Sequence, residues 1–324
     1  MRIDDTGADR PPFAGAAGAA VGWVTFWAVI VVAGESLIDL VPRHPEDPLG
    51  PLAPRPGGGP YNTAVALGRL GAGAAFCSRV STDGFGEALL GGLHSAGVDT
   101  SLVQRGPEPT TLAVASVAPD GSARYSFYAD GTADRLFELP PQLPSPVSAL
   151  ALGTCSLVLE PGATAYEALL RRESARGILT LLDPNIRPGL IPDPDAYRTH
   201  FRSWLPYVSL LKLSEEDAEW LGGEVEEWLA AGPEAVVVTR GAAGLTAYTA
   251  KGAEHAVPAE RVRVADTIGA GDTVNAALLH RLPDRNALVS ANWPEVLRYA
   301  ARAAALTCER EGAQPPTAEE VGRV

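Results

Sequence analysis

Short apolar runs recur along the chain, each beside a longer stretch whose apolar positions follow helical spacing. AVIVVAG (28–34), AAFCSRV (74–80), SLVLE (156–160), GILTLLD (177–183), VSLLKL (208–213) and AVVVTR (235–240) read as core strands. Runs so short, without polar alternation, suit strands buried on both faces. YNTAVALGRLG (61–71) reads as an amphipathic helix that stops at Gly71, and GFGEALLGGLHSAGV (84–98) as a second helix ending in glycine, the usual stop signal. Strands alternating with helices predict a parallel sheet covered on both faces. Two segments break the rhythm. Residues 41–60 are rich in Pro and Gly, and residues 110–130 hold two strand-like runs around Asp120-Gly121, a hairpin signal. Such a hairpin reads as a flap over a site, or as an insertion without a role.

Composition narrows the partners. With 324 residues, 46% hydrophobic and 20% charged, the chain can bury a large core. Its formal net charge of −13 argues against nucleic acid, which needs clustered Lys and Arg. A phosphate can still be held locally by backbone N–H groups and a few cations. Cys77, Cys155 and Cys308 stand apart, without metal-type spacing, and suit a reduced, cytoplasmic protein. Residues 13–34 carry no charge, enough length to span a bilayer. The acidic flank (Asp4, Asp5, Asp9) and the β-branched end of the run favour an alternative. On that reading, residues 1–25 are a loose extension before a buried strand, and no membrane is involved.

The chemistry concentrates at DTIGAGDTVNAALL (266–279). P-loop, GxSxG, HExxH and HRD motifs are absent, and the GxG here lacks a third glycine and a following βαβ unit. Gly269, Ala270 and Gly271 let backbone N–H groups converge at a helix start, an anion nest reinforced by the helix dipole. Two readings of Asp272 stand side by side. It caps the helix, or it takes a proton from a hydroxyl attacking a phosphoryl group held in the nest.

DTIGAGDTVNAALL resembles the C-terminal signature of the ribokinase-like (pfkB) carbohydrate kinase family, DTxGAGD. GGGPYNTAVALGRLG (57–71), TDGFGEALLGGLHSAGVDTS (82–101), VVTRGAAG (237–244) and EREGAQPP (309–316) are similar to further family motifs, in the same order. The resemblance implies a three-layer α/β/α sandwich with a mostly parallel sheet over residues 26–324, carrying a small β lid from about 41–60 and 110–130. It implies ATP and Mg2+ as cofactors, a sugar as the acceptor, and pairing of two copies through the lid. Asp272 matches the catalytic base, and Gly269, Ala270 and Gly271 match the anion hole. Asp39, Gly58, Gly59 and Asn62 match the sugar side, where plain readings would make Asp39 a loop cap and Asn62 a helix cap. Tyr128 in the lid and Arg187 in DPNIR are assigned to the substrate on the same grounds. Asn185, Lys212, Ser214, Thr239, Gly241 and Gly244 fall on the nucleotide side. Asp266 and Ile268 stand where some members hold a monovalent cation, K+.

There are departures. The NxxE that organises Mg2+ through waters is replaced by KLSEEDAEW (212–220), with Ser214 and Asp217 at those places, or Glu216 in a shifted register. GESLIDLVP, GGGPYN, DGTADRLF and LDPNIRPGL together resemble bacterial fructokinases. DPNIRP also resembles 2-keto-3-deoxygluconate kinases, whose lid carries an Arg that meets the substrate carboxylate. Aligned on FYADGTA (127–133), that place is Ala129, which favours a neutral sugar. Fructose is therefore the expected acceptor. Ribose and 2-keto-3-deoxygluconate are the alternatives, and a sugar-binding protein without catalysis is a third of another class.

Overall fold

The structure, a computed structural model, describes residues 29–322 apart from 45, 48, 118–122 and 144–145. The extension expected over residues 1–25 lies outside the described residues. In chain order the strands are β1 (Val29–Ala33), β2 (Leu37–Pro42), β3 (Leu52–Gly57), β4 (Ala74–Ser81), β5 (Val103–Gly106), β6 (Thr111–Val117), β7 (Ala123–Tyr128), β8 (Val147–Gly153), β9 (Leu179–Asp183), β10 (Leu210–Ser214), β11 (Ala235–Thr239), β12 (Leu245–Thr249) and β13 (Glu254–Val257). The helices are α1 (Gly59–Arg69), α2 (Gly84–Ser95), α3 (Gly162–Ala175), α4 (Pro194–Trp204), α5 (Glu215–Leu221), α6 (Val225–Ala231), α7 (Ala270–Arg281), α8 (Arg285–Val289), α9 (Trp293–Cys308) and α10 (Ala318–Gly322).

Nine strands form one sheet in the order β13-β12-β11-β10-β9-β8-β1-β4-β5. It is parallel from β11 to β5, with β12 and β13 added antiparallel at one edge. Alternation along β1 shows why both faces are covered. Ile30 and Val32 join a core with Leu67 of α1, Leu278 of α7 and Leu297 of α9. Val31 and Ala33 join another with Leu169 of α3, Phe201 and Trp204 of α4 and Trp228 of α6. With period two, every second side chain feeds each layer, and the result is a three-layer α/β/α sandwich.

The second sheet is small, ordered β3-β2-β6-β7. β2 pairs antiparallel with β3 and parallel with β6, and β6 pairs antiparallel with β7. This is the expected lid, though it begins earlier than residue 41, because β2 already starts at Leu37. The turn about Asp120-Gly121 lies outside the described residues.

One strand was misplaced by the apolar pattern. SLVLE (156–160) is no strand: Thr154–Leu157 make a 3-10 turn, and the core strand is the preceding β8. Thr154 stands at φ 61, a left-handed conformation that ends extended backbone for a residue with a Cβ. The apolar content of 155–157 reflects burial of that turn. Among the described residues no helix is long and apolar enough to cross a membrane.

Candidate active site

A cavity of about 450 Å3 opens at the C-terminal ends of β1, β8, β9 and β10, under the inner face of the lid. Open α/β sheets place their ligand sites at this edge, where the loops after the strands converge. Its floor holds Asp183, Lys212 and Asp272, and its roof holds Leu37, Asp39, Tyr125 and Phe127.

Geometry separates the two readings of Asp272. Gly269 is the N-cap of α7, at φ 77, and Asp272 is the third helical residue. The left-handed φ suits glycine, and a Cβ there would lie 2.6 Å from Ala313 Cβ. Asp272 is therefore not the cap. It is buried, and its Oδ2 accepts a hydrogen bond of 2.9 Å from Asn62 Nδ2 in α1. Burial pushes its carboxyl up to about 7; Asn62 pulls the other way, Asp183 adds to the rise, and Lys212 and Arg187 oppose it. Gly59 and Gly271 border the same space: a Cβ on Gly59 would stand 3.3 Å from Asp272 Oδ1, and one on Gly271 would stand 3.1 Å from Lys212 Nζ.

Asp39 faces the cavity from β2, and its carboxyl is raised to about 6 by burial, against the pull of Arg187. Gly58 caps α1 at φ 102 beside it in the chain turn. Asn185, at φ 38, and Arg187 line the same rim, with Arg187 Nη1 donating to Asn185 Oδ1 at 2.7 Å. Tyr128 does not join them. It is 63% exposed, and the strand period turns it to the opposite face from Tyr125 and Phe127, which line the cavity. The aromatic contact belongs to those two.

Of the residues expected on the nucleotide side, Asn185 and Lys212 line the cavity, whereas Ser214, Thr239, Gly241 and Gly244 lie outside its lining. Ser214 and Thr239 are register partners at the ends of β10 and β11, and Gly241 and Gly244 follow with φ 50 and φ 100. A Cβ on Gly244 would run into the backbone of Val257–Ala259, so this glycine serves close packing. Asp217 and Glu216 do not line the cavity. Asp217 Oδ1 accepts from Ile186 N at 2.8 Å, and Oδ2 accepts from Ser214 N and Oγ in a capping box that starts α5. Glu216 is exposed. The Ser-x-x-Asp spacing thus reports a helix cap, not a metal-facing carboxylate. Asp266 accepts from Ile268 N at 3.0 Å and Gly312 N at 2.8 Å, tying the glycine turn to the C-terminal motif.

Sequence reasoning passed over Glu35, and took Asp183 only as the first residue of the DPNIR run without giving it a role. Glu35 follows β1, is buried, and accepts from the Thr154 and Ser156 hydroxyls and from Ser156 N at 3.1 Å. Burial raises its carboxyl above the usual value against those hydrogen bonds. Its one signal in the sequence is an acid directly after an apolar strand. Asp183, the last residue of β9, accepts from Lys212 Nζ at 2.8 Å and Asn275 Nδ2 at 2.7 Å.

With this geometry in hand, comparison with known proteins adds the family. Residues 28–320 match the pfkB family carbohydrate kinase description. A fructokinase of Rhizobium leguminosarum bv. trifolii is 40% identical over 268 residues, covering 80% of this chain and 81% of its own length. Fructokinase-1 of Zea mays is 34% identical over 317 residues, 90% of this chain and 96% of its own. Among solved structures, fructokinase from Xylella fastidiosa with bound ATP superposes with a TM-score of 0.82 at 29% identity, covering 90% of this chain and 96% of that one. Fructokinase from Vibrio cholerae O395 with fructose, ADP and calcium gives 0.78 at 25% identity, covering 91% and 98%.

Proposed function

The chain belongs to the pfkB family of carbohydrate kinases and is an enzyme that phosphorylates a sugar, and we propose that it transfers the γ-phosphoryl group of ATP to O6 of D-fructose. The observation that carries the mechanism is the placement of Asp272. A buried carboxylate, oriented by Asn62, stands at the mouth of α7 in the cavity that Asp39 enters from the lid.

Asp39 accepts hydrogen bonds from sugar hydroxyls, which an ionised carboxylate does with two oxygens. Tyr125 and Phe127 cover the ring's apolar face. Asp272 Oδ1 takes the proton of the attacking hydroxyl while Asn62 holds Oδ2. The N–H groups of the Gly269–Gly271 turn, the start of α7 and Lys212 receive the charge that develops on the phosphoryl oxygens. Fructose is favoured over a sugar acid because Ala129 is buried at the lid position where an Arg would be needed. Its carbonyl accepts from Thr132 and Arg135. Solved neighbours carry ATP, ADP or Mg2+, and Mg2+ bound with ATP would neutralise charge between its phosphates. Beside Asp272, whose Oδ1 is kept for the sugar proton, this chain offers its waters Asp183 Oδ1, a buried carboxylate oxygen without a protein partner among the described residues.

A coupled ADP-release assay across fructose, ribose, glucose and 2-keto-3-deoxygluconate tests the reading. Fructose should give the highest kcat/KM, and activity confined to the sugar acid overturns the choice. Asp272→Asn should lower kcat by about 10³-fold, within the range for loss of a general base, with sugar affinity held within about threefold. A near-normal kcat in that variant sinks the role.

A further inference from the structure

Among the described residues, Asp83, Asp217 and Asp266 act as braces, and each engages both oxygens. Asp83 accepts from Gly86 N, Thr110 N and Thr110 Oγ1. Asp217 accepts from Ile186 N and Ser214, and Asp266 from Ile268 N and Gly312 N. Asp183 is built otherwise. It is 3% exposed, and its Oδ2 takes two donors at once, Lys212 Nζ from the neighbouring strand and Asn275 Nδ2 from the second turn of α7. Its Oδ1 takes none from the protein.

Lys212 is 4% exposed and sits against Gly271 in the cradle. An ammonium on a flexible stem has no preferred direction of its own, and a buried one needs a fixed counter-charge. Two carboxylates compete for it on the cavity floor, Asp183 and Asp272. If Lys212 turned to Asp272, the base would be neutralised and the cradle would lose its cation together.

We propose that Asp183 is a positioning residue for phosphoryl transfer: it holds Lys212 against Gly271, keeps that charge off Asp272, and grips α7 through Asn275. The proposal rests on the kinase reading above. Asp183 acts through Lys212 and not on the sugar.

A double-mutant cycle tests it with Asp183→Asn, Lys212→Met and the pair, measuring kcat, both KM values and melting temperature. In the wild-type background Asp183→Asn should lower kcat about a hundredfold, the scale of a lost charge-stabilising group. In the Lys212→Met background the same change should lower kcat less than about tenfold, because the ion pair is already gone and only Oδ1 and the Asn275 contact are left to change. Equal losses in both backgrounds overturn the proposal, and so does a near-wild-type kcat with only a lowered melting temperature. Asn275→Ala keeps both charges and reads the grip on α7 alone: about tenfold lower kcat is expected for a misplaced cradle, and an unchanged kcat overturns that part. Wild-type protein without sugar-dependent ADP release would sink the kinase reading and this inference with it, a result separable from any variant's failure.

Discussion

Burial holds the Asp272 carboxyl at about 7, so the residue is protonated in acid and becomes a base only near neutrality. The acid limb of kcat/KM should therefore fall with an apparent pKa near 7, measured over the range from pH 5 to 9; a profile flat down to pH 5 would remove Asp272 from the base's role. The same shift has a stability sign. The folded value lies above the ordinary aspartate value of 3.8, so the fold favours the protonated form. Below about pH 4 both states are protonated and burial of the group carries no ionic penalty. The penalty grows as pH rises through the window up to about 7 and is complete above it. Asp39, raised to about 6, adds in the same direction. Asp272→Asn should consequently be more stable than wild type at pH 8, by roughly 4 kcal/mol from the size of the shift, with the difference vanishing near pH 4. Denaturant unfolding at the two pH values checks this, and an equal or less stable variant at pH 8 refutes it.

The lid shows how an element sets which residue meets the sugar. Leu37 and Asp39 on β2 and Tyr125 and Phe127 on β7 share its inner face. Gly57 pairs with Leu37 across β2 and β3, and a Cβ on it would run into Asp39 Oδ2. Gly57→Ala should raise the sugar KM about tenfold by displacing Asp39, a loss of roughly 1.4 kcal/mol, while leaving the ATP KM near its wild-type value. Equal change in both constants would show a general loosening instead. The sequence made the glycine turn, the βαβ alternation and the hairpin legible, because each depends on local chemistry: φ freedom, period and turn residues. It misled at Tyr128, since placing an aromatic in a lid strand does not tell which face it takes without the register. It misled at Asp217, where Ser-x-x-Asp could serve a helix cap or a metal equally, and the contact with Ile186 N decided. Glu35 and the role of Asp183 were missed because their partners, Ser156 and Asn275, are distant in the chain.

At the scale of the whole molecule, the two sheets carry different parts of the proposed reaction. The nine-stranded sheet supplies Asp183 and Lys212 at its strand ends and supports α7. The four-stranded sheet supplies Asp39, Tyr125 and Phe127. Fructose should slow amide hydrogen exchange in β2, β6 and β7, while β9 to β11 stay unchanged; uniform protection across both sheets would contradict this division. A net charge of −13 does not prevent a single cation from standing at the cavity floor, where Lys212 is paired with Asp183.

That division has an evolutionary consequence. The chain passes between floor and roof at short joints around residues 34–36, 57–59, 107–110 and 129–134, and Arg55 of the roof pairs with Glu311 of the floor. Substitutions on its inner face can retune which sugar is accepted without disturbing the residues that handle phosphate.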